Sequence, residues 1–151
     1  MIALIQRVTE ARVEVDGNAV GSIGRGILAL VGVERGDGDA QAGRLVEKLL
    51  GYRIFPDAGG KMNLSLLDIK GELLVVPQFT LAADTKAGTR AGFSTAASPE
   101  DGLRLFSLFV EISKKQNPET KAGQFGADMK VSLVNDGPVT FWLQASPLKL
   151  S

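Results

Sequence analysis

Two short polar segments interrupt apolar surroundings and are the first candidates for chemistry: Gln78-Phe79-Thr80, at the end of an apolar run, and Asn135-Asp136-Gly137-Pro138, between two alternating segments. The chain has no histidine and no cysteine. That removes Ser-His and Cys-His pairs, imidazole and thiolate metal ligands, disulfides and the commonest general base near neutral pH. What remains is carboxylates, lysines, the single Tyr52, hydroxyls, backbone dipoles, or a reactive group carried by the substrate itself. A threonine such as Thr80 is scarcely activated without a base, and Gln78-Phe79-Thr80 also reads as an ordinary strand end with Phe79 in the core. The simplest reading of Asn135-Asp136-Gly137-Pro138 is a turn between two strands. The sharper reading is a rigid substrate-facing loop, in which glycine lets a ligand approach the backbone and proline removes a donor.

These segments need a scaffold. With 151 residues, 44% of them hydrophobic, the chain suits one domain spanning residues 1–151 that buries a core without a disulfide or metal staple. Lys+Arg and Asp+Glu both number 17, so a polyanion would have to be held by a local patch. The apolar N-terminus meets Arg7, Glu10 and Arg12 too soon for a signal peptide, and no window approaches a membrane-spanning length.

Apolar stretches at residues 2–8 and 11–15 lead into Asp16-Gly17-Asn18, whose turn chemistry suits a hairpin returning through residues 19–23. Residues 26–33 form a continuous apolar run, as in a strand covered on both faces. Asp39 can cap a helix whose Ala42, Leu45, Val46, Leu49 and Leu50 face a sheet while Gln41, Arg44, Glu47 and Lys48 face out. Residues 73–81 read as a buried strand meeting Pro77, and residues 82–97 as a surface loop carrying Lys86 and Arg90, a potential basic lip. Ser98-Pro99-Glu100-Asp101 starts a second helix running to about Lys115, with Leu105, Leu108, Phe109 and Ile112 as its apolar stripe, widened by Phe106 and Val110. Met129, Val131 and Leu133 then alternate with Lys130 and Ser132 before the Asn135 to Pro138 segment and a last strand to Ala145. The elements add up to an α+β fold, a curved, barrel-like, mostly antiparallel sheet covered by two main helices.

Val76-Pro77-Gln78-Phe79-Thr80-Leu81 and Val134-Asn135-Asp136-Gly137-Pro138-Val139-Thr140 resemble the two signature motifs of D-aminoacyl-tRNA deacylases, of the bacterial type. Residues 1–8, Gly60-Lys61-Met62-Asn63-Leu64 and Asp128-Met129-Lys130-Val131-Ser132-Leu133 resemble further segments in the family's order, so the likeness covers nearly the whole chain. The resemblance implies a cytoplasmic homodimer without metal or organic cofactor. It implies cleavage of the ester between a D-amino acid and the 3'-terminal adenosine of tRNA, and of glycyl-tRNA, with no DNA or membrane partner.

It further implies that Gly137 and Pro138 form a cis step that enters the partner subunit's pocket and rejects L side chains by collision with backbone. Gln78 and Thr80 are the implied catalytic strand end, Phe79 and Met129 substrate contacts, and Arg7 a brace for the Gly-Pro loop. With no histidine to activate Thr80, assistance by the vicinal ribose 2'-hydroxyl is favoured over a covalent route. Two departures stand out: Pro77 replaces the usual serine, and Arg90-Ala91-Gly92-Phe93 replaces Arg-Pro-Ser-Phe, while Phe79 is retained, as in this branch rather than relatives with a trans Gly-Pro. Lys86, Arg90, Lys114, Lys115 and Lys121 are candidates for phosphate contacts. Two other readings stay open: a non-enzymatic dimeric module binding a metabolite or RNA, and a hydrolase of small esters or peptides using Thr80 with a lysine or carboxylate.

Overall fold

The computed structural model describes residues 1–147; residues 148–151, the end of the expected single domain, lie outside the described residues. The organising element is β1 (Ile2–Val15), one long strand where two stretches were expected. One of its edges pairs antiparallel with β2 (Asn18–Ile23) along residues 11–15 and with β3 (Gly26–Gly32) along residues 2–8. Its other edge carries β8 (Lys130–Gln144) along nearly its whole length. The β1–β2 hairpin is made by Asp16 and Gly17, both left-handed with φ of 50° and 79°, as the tight turns matching strand twist require.

After β3 comes α1 (Asp39–Gly51), then the small hairpin of β4 (Phe55–Pro56) and β5 (Met62–Leu64), and the one-turn helix α2 (Leu66–Ile69). β6 (Glu72–Pro77) follows, then a 3-10 turn (Phe79–Ala82), α3 (Pro99–Gln116) and β7 (Lys121–Ala122). β6 lies parallel to β3, and β7 parallel to β6, so the sheet is mixed. β2 closes toward β7: a methyl placed on Gly21 would sit 3.3 Å from the Ala122 carbonyl oxygen. Among the described residues the result is a nearly closed barrel-like sheet with three α-helices.

Alternation along the central strands serves two cores. Ala3, Ile5, Ile27, Ala29, Leu73 and Val75 join Leu45, Leu49, Leu105 and Phe109 in a cluster between sheet and helices. Their neighbours Val8, Leu28, Leu74 and Val76 join Val13 and Ile23 inside the barrel. β3 and β6 are therefore apolar at nearly every position, because neither face meets water. Each such Leu, Ile or Phe contributes about 1.5–3 kcal/mol relative to exposure.

Several expectations need correction. The cap of α1 is Gly38, with Asp39 the first helical residue; Gln41 turns back to accept the Gly38 amide at 2.7 Å and is buried, not solvent-facing. Ser98 does cap α3, accepting the Asp101 amide at 3.2 Å with Pro99 in the first turn. Residues 78–81 are not strand: Pro77 is the last strand residue, and after one further ladder bond from the Gln78 amide the chain coils into the 3-10 turn. Most consequentially, Asn135-Asp136-Gly137-Pro138 is no turn between strands. β8 pairs with β1 on both sides of it, so the segment is an outward excursion within one strand.

The N-terminus is anchored in the same framework. The Met1 ammonium is buried against Glu34 (3.1 Å), Asp37 (2.8 Å) and the Ala145 carbonyl (2.7 Å), tying the start of β1 to the segment after β3.

Candidate functional site

A largely apolar pocket of about 470 Å³ opens where β3 and β6 end, walled by the start of α3 and the segment before β8. Val31, Val33, Pro77, Gln78, Phe79, Phe106, Phe125 and Met129 are among its lining residues. Gln78 is placed by backbone: its amide donates to the Val31 carbonyl (2.8 Å), continuing the parallel ladder one step beyond Pro77. The first turn bond then runs from the Leu81 amide to the Gln78 carbonyl (3.2 Å), so the Phe79 and Thr80 amides precede the bonded turn, where helix donors lack internal partners. Gly32 permits this close approach. A methyl there would lie 2.9 Å from the Leu81 Cβ and 3.0 Å from the Gln78 carbonyl oxygen.

Because the chain turns outward after Pro77, Phe79 is 61% exposed instead of entering the core as the ordinary strand-end reading had it, and its ring lies 5.4 Å from that of Phe93. Thr80 is exposed beside the pocket, and its hydroxyl accepts a hydrogen bond from the Gln78 side-chain amide. That partner is not a base. Met129 also lines the pocket, its sulfur packed where a methyl on Gly123 would come within 2.9 Å.

Gly137 and Pro138 lie elsewhere. Thr140 pairs with Gln6 and Asn135 with Val8, leaving residues 136–139 to bow out opposite Arg7. The Gly137–Pro138 peptide bond is cis, and both residues are exposed. Asn135 clasps the neck of the excursion: its Oδ1 accepts the Val139 amide (2.7 Å) and its Nδ2 donates to the Thr140 hydroxyl (2.9 Å). Arg7, with its side chain only 12% exposed, donates through Nε to the Asp136 carbonyl (2.9 Å) and through a terminal nitrogen to the Ile54 carbonyl (2.7 Å). Gly137 has φ of 140°, and a methyl there would sit 2.6 Å from a Val139 methyl and 3.3 Å from the Arg7 guanidinium. An L side chain is excluded at that position on both counts.

The nominated residues therefore fall into two groups. Gln78, Phe79 and Met129 share the pocket, with Thr80 at its edge; Gly137, Pro138 and Arg7 share the excursion. Arg7 pairs with Ile27, and Ile27 with Leu73, five residues before Gln78. Three strand spacings across and five residues along separate the groups by roughly 20 Å. Sequence reasoning missed the Asn135–Thr140 clasp, Phe93 against Phe79, and Phe125 in the pocket wall. The first has a local signal, polar residues flanking Gly-Pro; the others are joined only by the fold.

Among the described residues no group of three or more Asp or Glu side chains is placed to hold a metal ion. Near the excursion, the Asp57 carboxyl is held below its ordinary range by the Asn63 side-chain amide and then by the Lys61 backbone amide, which order the β4–β5 hairpin following Ile54.

Residues 4–144 match the family model described as D-Tyr-tRNA(Tyr) deacylase. A protein named D-aminoacyl-tRNA deacylase from Alkalilimnicola ehrlichii is 60% identical over 97% of this chain and 98% of its own. One of the same name from Vibrio cholerae is 61% identical over 96% and 100%. Among solved structures, one titled c-Myc DNA Unwinding Element Binding Protein superposes with a TM-score of 0.92 at 37% identity, over 97% of this chain and 100% of that one. A probable eukaryotic D-amino acid tRNA deacylase, at 17% identity with a TM-score of 0.83 over 95% and 98%, shares the fold.

Proposed function

Since the chain belongs to the D-Tyr-tRNA(Tyr) deacylase family and is a hydrolase of the D-aminoacyl-tRNA deacylase kind, we propose that it cleaves the ester joining a D-amino acid to the 3'-terminal ribose of tRNA and spares L-aminoacyl-tRNA. The observation that carries the finer reading is the separation of the two motifs. A pocket without a rejecting element and a rejecting element without a pocket sit roughly 20 Å apart in one chain. Two copies arranged about a twofold axis can supply each other's missing half. Each site of the homodimer then combines Gln78, Phe79 and Met129 of one subunit with Gly137 and Pro138 of the other.

Selection in this arrangement rests on backbone. The excursion presents no large side chain, and its position is held by Arg7 and Asn135. An L side chain directed at it meets fixed atoms, whereas a D side chain points away and glycine has nothing to collide. One pocket can accordingly accept many D residues, with glycyl-tRNA cleaved as well.

The protein supplies position, and the substrate supplies reactivity. Water attacks the ester carbonyl, the ribose 2'-hydroxyl assists the proton transfers, and the 3'-oxygen leaves protonated with release of the free D-amino acid. The Phe79 and Thr80 amides are the donors for the developing oxyanion. Thr80 is no nucleophile, since its hydroxyl is bonded to an amide and not to a base. The reaction belongs to translation quality control and takes place in the cytoplasm.

Paired single-turnover deacylation of D-Tyr-tRNA and L-Tyr-tRNA tests the proposal. D-selective cleavage that is lost when the terminal adenosine is 2'-deoxy is the expected result. Undiminished cleavage of the deoxy substrate would overturn the ribose-assisted step, and equal cleavage of both enantiomers the selection.

A further inference from the structure

We infer that the tRNA strand reaches the pocket across one edge, where Arg35, Lys86 and Arg90 hold the phosphates nearest the ester; this rests on the deacylase reading above. A chain of zero formal charge cannot attract a polyanion by its overall field, so the binding surface must be local.

The structure sorts the cations. Arg12 is compensated by Glu14 (3.1 Å), Arg104 by Asp39 (2.7 Å), Lys121 by Glu119 (3.8 Å) and Lys130 by Asp128 (3.0 Å). Arg7 is committed to the Asp136 and Ile54 carbonyls. Lys114 and Lys115 are at the far end of α3, about 24 Å along the helix axis from Ser98 at the pocket.

Lys86 and Arg90 are exposed on the loop that borders the pocket, and among the described residues neither has an ion-pair partner. No acidic residue occurs between positions 85 and 98. The loop is pinned. Asp84 and Gly92 exchange backbone bonds of 2.8 and 2.9 Å, the Thr95 hydroxyl donates to the Ala82 carbonyl (2.6 Å), and Phe93 packs on Phe79 at the pocket mouth. Arg35 adjoins the base of this loop, its amide bonded to the Thr95 carbonyl (2.9 Å). The acids flanking Arg35 in sequence, Glu34 and Asp37, both turn inward to the one buried Met1 ammonium, whereas the Arg35 guanidinium is exposed and has no ion-pair partner among the described residues. A nucleic-acid strand whose last ester enters the pocket must cross a rim, and on this one three exposed cations stand without ion-pair partners among the described residues, with the Asp84 carboxylate turned to the Lys86 backbone amide (3.0 Å).

The test measures the affinity of the full-length protein for uncharged tRNA by fluorescence anisotropy, between roughly 50 and 200 mM salt. The triple variant Arg35→Ala/Lys86→Ala/Arg90→Ala is expected to bind at least tenfold more weakly at the low-salt end. Its slope of log affinity against log salt should be shallower by about 2, from roughly 0.7 per single-strand phosphate contact. Lys114→Ala/Lys115→Ala should change affinity less than twofold, and the charge-preserving pair Lys86→Arg/Arg90→Lys should keep the wild-type slope. A triple variant with wild-type affinity and slope overturns the inference, as does equal weakening by the Lys114/Lys115 pair or loss of slope in the charge-preserving pair. Because tRNA binding is read separately, wild-type protein that binds tRNA with this slope but fails to cleave D-Tyr-tRNA defeats the deacylase reading alone.

Discussion

The pocket beside Gln78 and the excursion at Gly137–Pro138 are built from different materials. The pocket is shaped by apolar side chains drawn from β3, β6, α3 and the segment before β8, with Gln78 as a polar group at its mouth. The excursion has few side chains to offer and is defined by backbone, with Arg7 gripping one of its carbonyls and Asn135 one of its amides. Side-chain walls can accommodate ligands of varied shape because rotamers adjust, whereas a braced main chain cannot yield. The proposed discrimination, which admits many D residues and refuses the mirror image, needs one surface of each kind.

Substitutions can be ranked by how severely they break this division. Gly137→Ala should have the largest effect, since φ of 140° and a 2.6 Å contact with Val139 both forbid the new methyl. The ratio of D- to L-Tyr-tRNA cleavage should fall at least ~100-fold, about 2.7 kcal/mol of discrimination, as read from paired single-turnover rates.

Arg7→Ala leaves the Asp136 and Ile54 carbonyls without their charged donor. It should cost about 2–3 kcal/mol in denaturant unfolding and relax discrimination roughly tenfold. Arg7→Lys should recover only part of this, because an ammonium cannot reproduce the planar fork.

Gly32→Ala probes the other region: by displacing the Gln78 carbonyl it should lower kcat/KM for D-Tyr-tRNA roughly tenfold, about 1.4 kcal/mol, while leaving the enantiomer ratio intact. A changed ratio would mean that the two regions are not separable. Thr80→Ala should have the smallest effect, with single-turnover deacylation kept within about threefold; a collapse would restore covalent catalysis.

Legibility of the sequence followed the range of the interactions involved. Asp16-Gly17 and Ser98-Pro99 act within a few residues of themselves, and both did what their local chemistry indicates. The Asn135 to Pro138 segment carries the same turn chemistry and misled, because the choice between a turn and an excursion depends on β1 pairing with both flanks. Pro77 misled in a milder way. The apolar run through Leu81 looks continuous, but the strand stops at Pro77 and the chain coils from Phe79 on, which exposes that ring. The parallel register of β6 on β3 and the meeting of Phe79 with Phe93 arise from contacts between distant segments, with no periodicity to announce them. The family likeness reached the motifs themselves, yet only three-dimensional placement separates Arg35, Lys86 and Arg90 from Lys114 and Lys115.

The anchoring of the excursion at both ends within a single β1–β8 ladder has a thermodynamic consequence. Residues 136–139 lose their conformational freedom when the sheet forms, before any tRNA arrives. The entropy of ordering the excursion is thereby charged to folding once, and each encounter meets a surface already in its final shape. Amide exchange of the residues flanking Gly137–Pro138 should consequently be as slow in the free protein as in the complex.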